Sequence, residues 1–376
     1  MTAPFLNLHA LHALPASLVN RDNNGAAKTI TFGGVRRNRV SSQSWKRAIV
    51  EHMRHDRIDN AAYSLRTTRF PALTADILAA DYSRDLDAAL AKTAAVYSSC
   101  GFKAKENGGT AVSIYASQNL PAQVAAAINA HWDAIGDSSD VKDITSEAAA
   151  KTLVPNEVRA AVENALDVDK AIDLALTGRM LAEIPTKQVE GALAFAHAFS
   201  VHAASIENDF FTAVDDAAPK GEPVSSNLGE VDLTAPLLYR SAAVDRRLLA
   251  ANLAAATDPA ALADDALAAF LSAFVTAVPA AKHTSTHAAT LPSLVVASQS
   301  RQPQSAASAF HSAVTGDTQL SDSTDRLLTM LLRQQAAVTP DDSLVALVLD
   351  PAIDEQVAHS GITTVASVAD LIAATR

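Results

Sequence analysis

Positive charge is concentrated in one short part of this otherwise acidic chain. Residues 21–57 contain nine lysines and arginines against three acids, a net charge of +6, whereas the whole chain of 376 residues carries −11. A solvated basic face is the ordinary alternative, but the glycines and the serine-glutamine sequence inside this segment favour a polyanion-binding surface on an acidic, soluble body. The cations are Arg21, Lys28, Arg36, Arg37, Arg39, Lys46, Arg47, Arg54 and Arg57.

The elements around these cations predict an anion-binding corner. Residues 5–11 alternate partly and predict a first strand, and residues 15–43 predict a basic loop. Ser41 and Gln43 belong to a triplet that offers an N-cap for a helix over residues 44–57. Helix N-termini point backbone N–H groups at phosphates, and both side chains can donate to phosphate oxygens. The apolar stripe of this helix is Trp45, Ala48, Ile49 and Met53.

Two later segments have distinct patterns. Residues 189–202 alternate large and small side chains, which predicts a strand with His197 as a satisfied histidine inside the sheet. Residues 205–236 are polar and are punctuated by glycine and proline, with Phe210-Phe211 before the turn and Leu228 after it. Hydrophobic anchors on both sides of a turn predict a projecting, hairpin-like arm.

The rest of the chain predicts a mixture of helices and strands. Alanine-rich residues 60–180 predict an inserted helical subdomain. Further strands are predicted at 234–244 and 291–299, and helices at 245–279, 306–314 and 323–337, before a Val/Leu-rich stretch at 344–349 and a C-terminal helix. The order predicts an α+β sheet domain that carries a helical insertion and an arm.

Composition predicts a cytoplasmic protein without a membrane partner. The only cysteine, Cys100, excludes an intramolecular disulfide, suits a reducing compartment and is expected to be a small buried side chain. No basic segment followed by an apolar core begins the chain, and the apolar stretch 266–281 contains Pro279 and is too short to span a membrane.

Sequence motifs predict no enzyme, no cofactor and no metal site. The chain has no phosphate-binding Walker loop, no G-x-S-x-G elbow and no Cys-x-x-Cys pair. His283 and His287 are four residues apart but lack a third ligand. Asp22 beside Arg21 keeps one alternative open, a metal-dependent endoribonuclease that cuts bound target RNA. An RNA-free scaffold is a poorer hypothesis because it leaves the charge segregation unexplained.

Four blocks of the sequence, in this order, resemble the repeating backbone subunit of Cascade, the type I-E CRISPR RNA-guided surveillance complex (the CasC family). The resemblance is strongest over residues 1–58 and 165–245. Val35 stands where the family often has a basic residue, and Phe210 stands where it commonly has tryptophan. The blocks are NRDNNGAAKTITFGGVRRNRVSSQSWKRA (20–48), IDLALTGRM (172–180), VEGALAFAHAFSVH (189–202) and NDFFTAVDD (208–216).

The resemblance implies an α+β fold with an RNA-recognition-motif-like (ferredoxin-like) palm, a helical finger insertion and a projecting thumb hairpin. It also implies how the chain is divided among them. The expected segments are 1–59 (palm, with the basic loop and helix), 60–182 (finger), 183–204 (palm strand), 205–236 (thumb) and 237–376 (palm).

The resemblance further implies a non-catalytic subunit whose copies line up along one CRISPR RNA and present it to a target DNA strand. Its other partners would be the large, small, cap and RNA-processing subunits of Cascade. Met180 would lie near a displaced nucleotide. The expected thumb residues are Phe210, Phe211, Thr212 and Leu228. The residues expected to hold RNA phosphates are Arg21, Lys28, Ser41, Gln43, Lys46 and Arg47. Arg36, Arg37 and Arg39 of the same basic segment are added to the expected RNA contacts.

Overall fold

The computed structural model describes residues 3–55, 63–105, 108–136, 147–168, 170–214, 225–338 and 343–376. Arg57, the predicted boundary at 59–60 and residues 215–224 of the predicted arm lie outside these residues. Contacts divide the chain into two compact units. The first unit is Met1–Asp56, Ala194–Arg246 and Leu267–Arg376, and the second is Arg57–Leu193 and Arg247–Ala266.

Strands and helices alternate irregularly along the described residues, as in an α+β protein. The strands are β1 Phe5–Ala13, β2 Thr29–Phe32, β3 Val35–Val40, β4 Ser64–Thr67, β5 Ile114–Ser117, β6 Leu193–Phe195, β7 Ala198–Ser200, β8 Glu207–Val214, β9 Ser225–Leu233, β10 Leu237–Asp245, β11 Leu294–Ser300, β12 Leu344–Val348 and β13 Thr363–Val365. The helices are α1 Ser42–Met53, α2 Phe70–Tyr82, α3 Leu86–Ser99, α4 Leu120–Ala130, α5 Glu147–Leu153, α6 Asn156–Ala165, α7 Ile172–Thr177, α8 Arg246–Asn252, α9 Pro259–Thr276, α10 His283–Thr286, α11 Gln319–Val338, α12 Asp354–His359 and α13 Val368–Thr375.

The first unit is built on a mixed sheet in the order β13-β12-β11-β1-β10-β7-β3-β2, with β6 also paired to β10. β1 lies between the antiparallel strands β10 and β11, and β12 and β13 are parallel. The first strand is therefore confirmed. Both of its faces are buried, because every residue from Leu6 to Leu11 has no accessible surface, the polar Asn7 and His9 included. The α+β class is confirmed, and the RNA-recognition-motif-like palm stays a prediction.

Helices cover both faces of this sheet. Arg240 of β10 lies 4.2 Å from the ring of Trp45 on α1 and 4.7 Å from Phe274 on α9. Its neighbour Tyr239 points to the other face and packs at 5.1 Å against Phe310, in the core that includes Leu327 of α11. Because successive side chains of a strand point to opposite faces, α1 and α11 lie on opposite sides of the sheet.

The basic loop predicted over residues 15–43 is instead, in its second half, a β-hairpin formed by β2 and β3. Gly33 and Gly34 make its turn with φ of +60° and +76°, the left-handed conformations that a tight hairpin turn requires. A Cβ on Gly33 would lie 1.6 Å from the carbonyl oxygen of His311, so only glycine fits there. A Gly-Gly pair between two β-branched or alternating runs was the signal for this turn.

The continuous strand predicted over 189–202 is wrong, because the structure has two short strands, β6 and β7, with two residues between them. Phe195 packs against Phe274 on the α1 face of the sheet, whereas Phe199 packs on the α11 face. An uninterrupted strand would place both rings on one side, so the residues between β6 and β7 shift the alternation. They also leave the His197 side chain exposed, not inside the sheet.

The second unit is mostly helical, as predicted for the insertion, and also contains the antiparallel pair β4 and β5. Phe70, Tyr97, Phe102 and Leu120 belong to its core. Cys100 belongs to the same core, where burial raises the pKa of its thiol to about 11. The predicted division kept all of 237–376 in the palm, whereas Arg247–Ala266 groups with the second unit.

The predictions for the C-terminal part of the chain are partly confirmed. The strand predicted at 291–299 corresponds to β11, and the helix predicted at 323–337 lies within α11. The Val/Leu-rich stretch at 344–349 contains β12. The helix predicted at 306–314 is only the 3₁₀ turn Ala307–Phe310. Among the described residues one helix, α9, is apolar and long enough to cross a membrane, but 56% of its apolar window is buried inside the protein, as in an ordinary core helix.

Candidate nucleic-acid interface

Residues 20–28 form a hydrogen-bonded loop that presents cations. Oδ1 of Asp22 accepts hydrogen bonds from the backbone N–H groups of Asn24 at 2.8 Å and Ala26 at 3.0 Å, which closes the loop on itself. Arg21 is exposed and Lys28 is half-buried. An aspartate turn therefore fixes the backbone that carries these two side chains.

The start of α1 lies beside this loop. Ser41 is the N-cap, and its Oγ accepts a hydrogen bond from the Ser44 N–H at 3.3 Å. The backbone N–H of Ser41 donates to Oδ1 of Asn20 at 3.0 Å, which joins the helix start to the loop. The predicted cap is confirmed, although the helix begins at Ser42, two residues earlier than predicted. Gln43 is exposed in the first turn.

Arg37 must be removed from the predicted RNA contacts. Its side chain is fully buried, and its Nη atoms donate to the backbone carbonyl oxygens of Ser200, Val201, Phe310 and His311 at 2.6–3.4 Å. Burial, followed by the neighbouring Arg326, lowers the pKa of Arg37. Arg37 thus joins the β2–β3 hairpin to the body of the first unit and does not reach solvent.

The other two arginines of β3 are accessible. Arg36 is exposed, with its Nε donating to Oγ1 of Thr29 at 3.0 Å. Arg39 is half-buried, and its Nη1 lies 3.5 Å from Nδ1 of His197. Neighbouring residues of a strand point to opposite faces, so Arg36 is exposed whereas Arg37, the same residue type, is buried.

The two cations of α1 differ in their surroundings. Burial lowers the pKa of Lys46, which is half-buried. Arg47 is exposed and forms an ion pair with Glu51 at 2.5 Å, one helical turn along. An exposed pair of this kind contributes only about 0.3–0.5 kcal/mol, so a phosphate can replace the carboxylate. The predicted apolar stripe of α1 is confirmed, because Trp45, Ala48, Ile49 and Met53 are all buried.

A cleft of about 640 Å³ opens between the loop, α1 and the segment 279–281. Arg21 and Arg47 contribute its positive charge, and Asp22 and Glu51 contribute carboxylates. We call the loop 20–28, the end of β3 and the first two turns of α1, with this cleft, the basic corner. It brings together the expected contacts Arg21, Lys28, Arg39, Ser41, Gln43, Lys46 and Arg47 in the first unit.

His197 belongs to the basic corner although its sequence pattern placed it in the core. Its Nδ1 accepts a hydrogen bond from the backbone N–H of Ser42 at 3.0 Å. Partial desolvation, followed by the cations Arg39 and Lys28, lowers the pKa of His197. No local signal in the sequence reveals this position, since it depends on the interruption between β6 and β7.

Met180 lies in the second unit, where its side chain is 87% exposed. The preceding Arg179 is buried, and it donates to the backbone carbonyl oxygens of Lys187, Tyr115 and Leu166 at 2.6–3.2 Å. Burial lowers the pKa of Arg179 to about 10, so it stays charged at neutral pH. We call residues 178–181 the Met180 loop.

Two glycines hold the Met180 loop in place. Gly178 has a φ of +74°, and a Cβ on it would lie 2.6 Å from the backbone nitrogen of Gly191. A Cβ on Gly191 would meet the backbone of residues 176–178 at 2.6–2.7 Å. Because both contacts are backbone to backbone, neither position accepts a larger residue without a shift. The close contact between Gly178 and Gly191 therefore constrains the backbone next to Met180, whose apolar side chain is exposed.

The expected thumb residues lie on a hairpin formed by β8 and β9, separate from the large sheet. Phe210 is 61% exposed and Leu228 is 66% exposed. The register pairs Thr212 with Leu228 and Phe210 with Glu230, so all of these residues share one face.

Phe211 points to the other face of this hairpin, where its ring lies directly over Gly229, the residue paired with it. At the base of the hairpin, the carboxylate of Asp232 accepts hydrogen bonds from Asn208 Nδ2 and from the backbone N–H of Ala27, both at 3.0 Å. The hairpin base is therefore tied to the loop of the basic corner.

The surroundings of Asp22 and of the two neighbouring histidines bear on a catalytic metal site. The described residues contain no group of three His, Cys, Asp or Glu side chains that could hold a metal ion. One carboxylate oxygen of Asp22 is engaged with the backbone of its own loop. His283 and His287 are exposed, with their rings stacked at 5.9 Å.

A family model and chains of two solved structures are similar to this chain over nearly its whole length. A family model described as CT1975-like protein matches residues 6–374. A chain of a solved structure described as "CRISPR RNA-guided surveillance complex, pre-nicking" is similar, with a TM-score of 0.85 and 30% identity over 99% of this chain and 100% of that one. A chain of another, described as "CRISPR RNA-guided surveillance complex", has a TM-score of 0.74 and 26% identity over 98% and 99%. No curated protein sequence matches.

The fold is thus similar, over nearly the whole of both chains, to that of chains from CRISPR RNA-guided surveillance complexes. The protein belongs to the CT1975-like protein family. The resemblance to the Cascade backbone subunit is confirmed at this level, and the assignment to type I-E stays a prediction.

Proposed function

We propose that this chain is a backbone subunit of a type I-E Cascade complex that binds CRISPR RNA through the basic corner. Copies of it would line up along one guide RNA, beside the large, small, cap and RNA-processing subunits. The guide would then pair with a target DNA strand, so that base pairing reads the sequence and the protein reads only backbone shape and charge. We expect this assembly in the cytoplasm.

The observation that carries the proposal is the cluster of accessible cations in the basic corner. Arg21 and Arg47 are exposed, while Lys28 and Arg39 are half-buried, in a chain whose net charge is −11. None of the contacts described above buries these side chains against protein carboxylates, apart from the exposed pair between Arg47 and Glu51. Such a surface suits a phosphate backbone and carries no base specificity.

Two exposed apolar features support a second part of the proposal, in which bases are displaced at intervals. Met180 offers a sulfur-containing side chain, and Phe210 with Leu228 offers an apolar hairpin face. Base stacking on an aromatic ring contributes roughly 1–3 kcal/mol and tolerates any sequence. The phenylalanine at position 210 keeps a stacking surface where the family commonly has tryptophan.

We also propose that the chain is not itself a nuclease. Asp22, the residue behind the endoribonuclease alternative, has a structural part to play as the acceptor that closes loop 20–28. Incubation of the assembled complex with complementary labelled RNA and Mg²⁺ tests this point. Regular cleavage products that disappear in Asp22→Ala would favour the nuclease.

Charge reversal in the basic corner tests the binding proposal. We expect Arg21→Glu with Arg47→Glu to weaken the binding of a guide-length single-stranded RNA by at least about tenfold. Each lost phosphate contact should also lower the slope of log affinity against log salt by about 0.7, or roughly 1.4 for both. Fluorescence anisotropy of labelled RNA at several salt concentrations, with the purified full chain, measures both quantities.

The matched control is Arg301→Glu with Arg333→Glu, because both side chains are exposed and the net charge changes equally. Arg333 lies on α11, on the opposite side of the sheet from α1. Equal loss of binding in the control would show that only total charge matters. Unchanged RNA binding in the basic-corner variant would contradict the proposed function.

A further inference from the structure

His197 makes two contacts that the proposed function does not yet use. Its Nδ1 accepts the backbone N–H of Ser42 at 3.0 Å and lies 3.5 Å from Nη1 of Arg39. Both neighbours are donors, so Nδ1 must present its lone pair and the ring hydrogen must sit on Nε2. The structure therefore fixes one neutral tautomer of this imidazole.

The surroundings of His197 keep the ring neutral. Partial desolvation comes first, and the cations Arg39 and Lys28 add to it, in lowering the pKa of His197 below its ordinary value of 6.5. Protonation would convert Nδ1 from acceptor to donor and would end both contacts. It would also add a third positive charge beside two existing ones.

These two contacts involve the first turn of α1 and the side chain of Arg39, which under the proposed function would meet an RNA phosphate. The first N–H groups of a helix have no partner inside the helix. Oγ of Ser41 takes one of them, from Ser44, and His197 takes another, from Ser42. On the other side, the ring restrains the guanidinium of Arg39, which otherwise has the rotamer freedom of a long side chain.

We propose that His197 is a positioning residue for RNA binding, which holds Arg39 and the first turn of α1 in the arrangement that meets a backbone phosphate. The inference rests on the proposed function of the basic corner. A side chain held before binding loses less conformational entropy when it binds, so the restraint raises affinity without a direct contact to RNA.

Three variants separate this role from simple packing. We expect His197→Ala to weaken binding of guide-length single-stranded RNA about fivefold, the factor that one modest hydrogen bond supplies. The salt slope should fall by up to about 0.7, because the contact from Arg39 is lost. His197→Asn, whose Oδ1 can accept the same N–H group, should bind within about twofold of the wild type.

A double-variant cycle gives the sharpest result. If His197 acts through Arg39, then His197→Ala combined with Arg39→Gln should bind RNA only slightly more weakly than Arg39→Gln alone. Full addition of the two effects, or wild-type affinity and salt slope in His197→Ala, would overturn the inference. So would ¹⁵N spectra of histidine-labelled protein at pH 7 that show a hydrogen on Nδ1 of His197.

Failure of this inference is distinguishable from failure of the proposed function. If Arg21→Glu with Arg47→Glu weakens RNA binding and His197→Ala does not, the basic corner binds RNA and the role of His197 is wrong. If the wild-type chain does not bind RNA at all, both proposals fall together.

Discussion

The basic corner and the Met180 loop rest on the same kind of support and expose opposite chemistry. Arg37 of β3, buried against β7 and the 3₁₀ turn Ala307–Phe310, donates to four backbone carbonyl groups, and Arg179, buried behind the Met180 loop, donates to three. The exposed side chains near Arg37 are cations such as Arg36, whereas the residue after Arg179 is Met180.

An arginine suits both positions because its planar guanidinium has five donors and no acceptor, so that one side chain can join several carbonyl groups of separate segments. The comparison shows that residue type does not settle the role of an arginine in a basic segment. Burial and hydrogen-bond partners decide whether an arginine joins backbone segments of its own chain or stays accessible to a ligand. The exposed neighbour then decides whether the region suits phosphates or the faces of bases.

The largest expected effect comes from removing the two buried arginines. Replacement by methionine removes the hydrogen bonds to four carbonyl groups at Arg37 and to three at Arg179, so Arg37→Met and Arg179→Met should each lower the free energy of unfolding by roughly 3–5 kcal/mol. The two tryptophans make the test specific, since Trp45 lies in the first unit and Trp132 in the second. Urea unfolding followed in Trp132→Phe and Trp45→Phe backgrounds reports each unit by itself.

The comparison predicts that Arg37→Met moves the transition reported by Trp45 and that Arg179→Met moves the one reported by Trp132. Arg36→Met and Arg66→Met are the matched controls, because both side chains are exposed, and each should change stability by less than about 0.5 kcal/mol. Losses below about 1 kcal/mol for the buried arginines would show that the carbonyl contacts are not essential.

Low pH should lower the free energy of unfolding of the first unit by slightly less than the two arginine substitutions do. Burial lowers the pKa of His9 from 6.5 to about 4, and the described residues place both fully buried histidines, His9 and His12, in this unit. Between pH 6.5 and 4 the unfolded chain binds a proton that the folded chain excludes, so stability falls as the pH falls. The loss from His9 reaches on the order of 3 kcal/mol near pH 4.

The measurement is urea unfolding at pH 7 and pH 5 with Trp45 as reporter. His9→Asn should flatten the pH dependence, because Oδ1 of asparagine can still accept the hydrogen bond that His9 Nδ1 shares with the Tyr239 hydroxyl at 2.9 Å. A pH dependence that is unchanged in His9→Asn would assign the acid sensitivity to other groups.

The smallest effect on stability is expected at Met180, and it sharpens the contrast in chemistry. Because the side chain is 87% exposed, Met180→Ala should change the free energy of unfolding by less than about 0.5 kcal/mol. If Met180 contacts a base, RNA affinity should fall a few-fold with no change in salt slope. Lys28→Gln, in the basic corner, should instead lower the slope by about 0.7. Equal salt slopes for Met180→Ala and Lys28→Gln would contradict the assignment of base contacts to Met180 and phosphate contacts to Lys28.

Local sequence patterns were sufficient for the elements that position the basic corner. The period of two in β1, the apolar stripe of α1 and the N-cap at Ser41 depend on near neighbours, and each lies where it was predicted. The charge cluster and the four ordered blocks were likewise sufficient for the family. The signals for the strand, the helix and its cap can be read from the sequence because each of them arises within a few residues of chain.

Only the tertiary structure decided the fate of Arg37 and His197. Arg36 and Arg37 are adjacent and chemically identical, and they differ because the carbonyl groups of Phe310 and His311 lie on one side of β3 only. His197 lies outside the strands because β6 ends at Phe195 and β7 begins at Ala198, and both strands pair with segments far away in the chain. A side chain's neighbours more than 150 residues away set its burial and hydrogen bonds, and no local period encodes them.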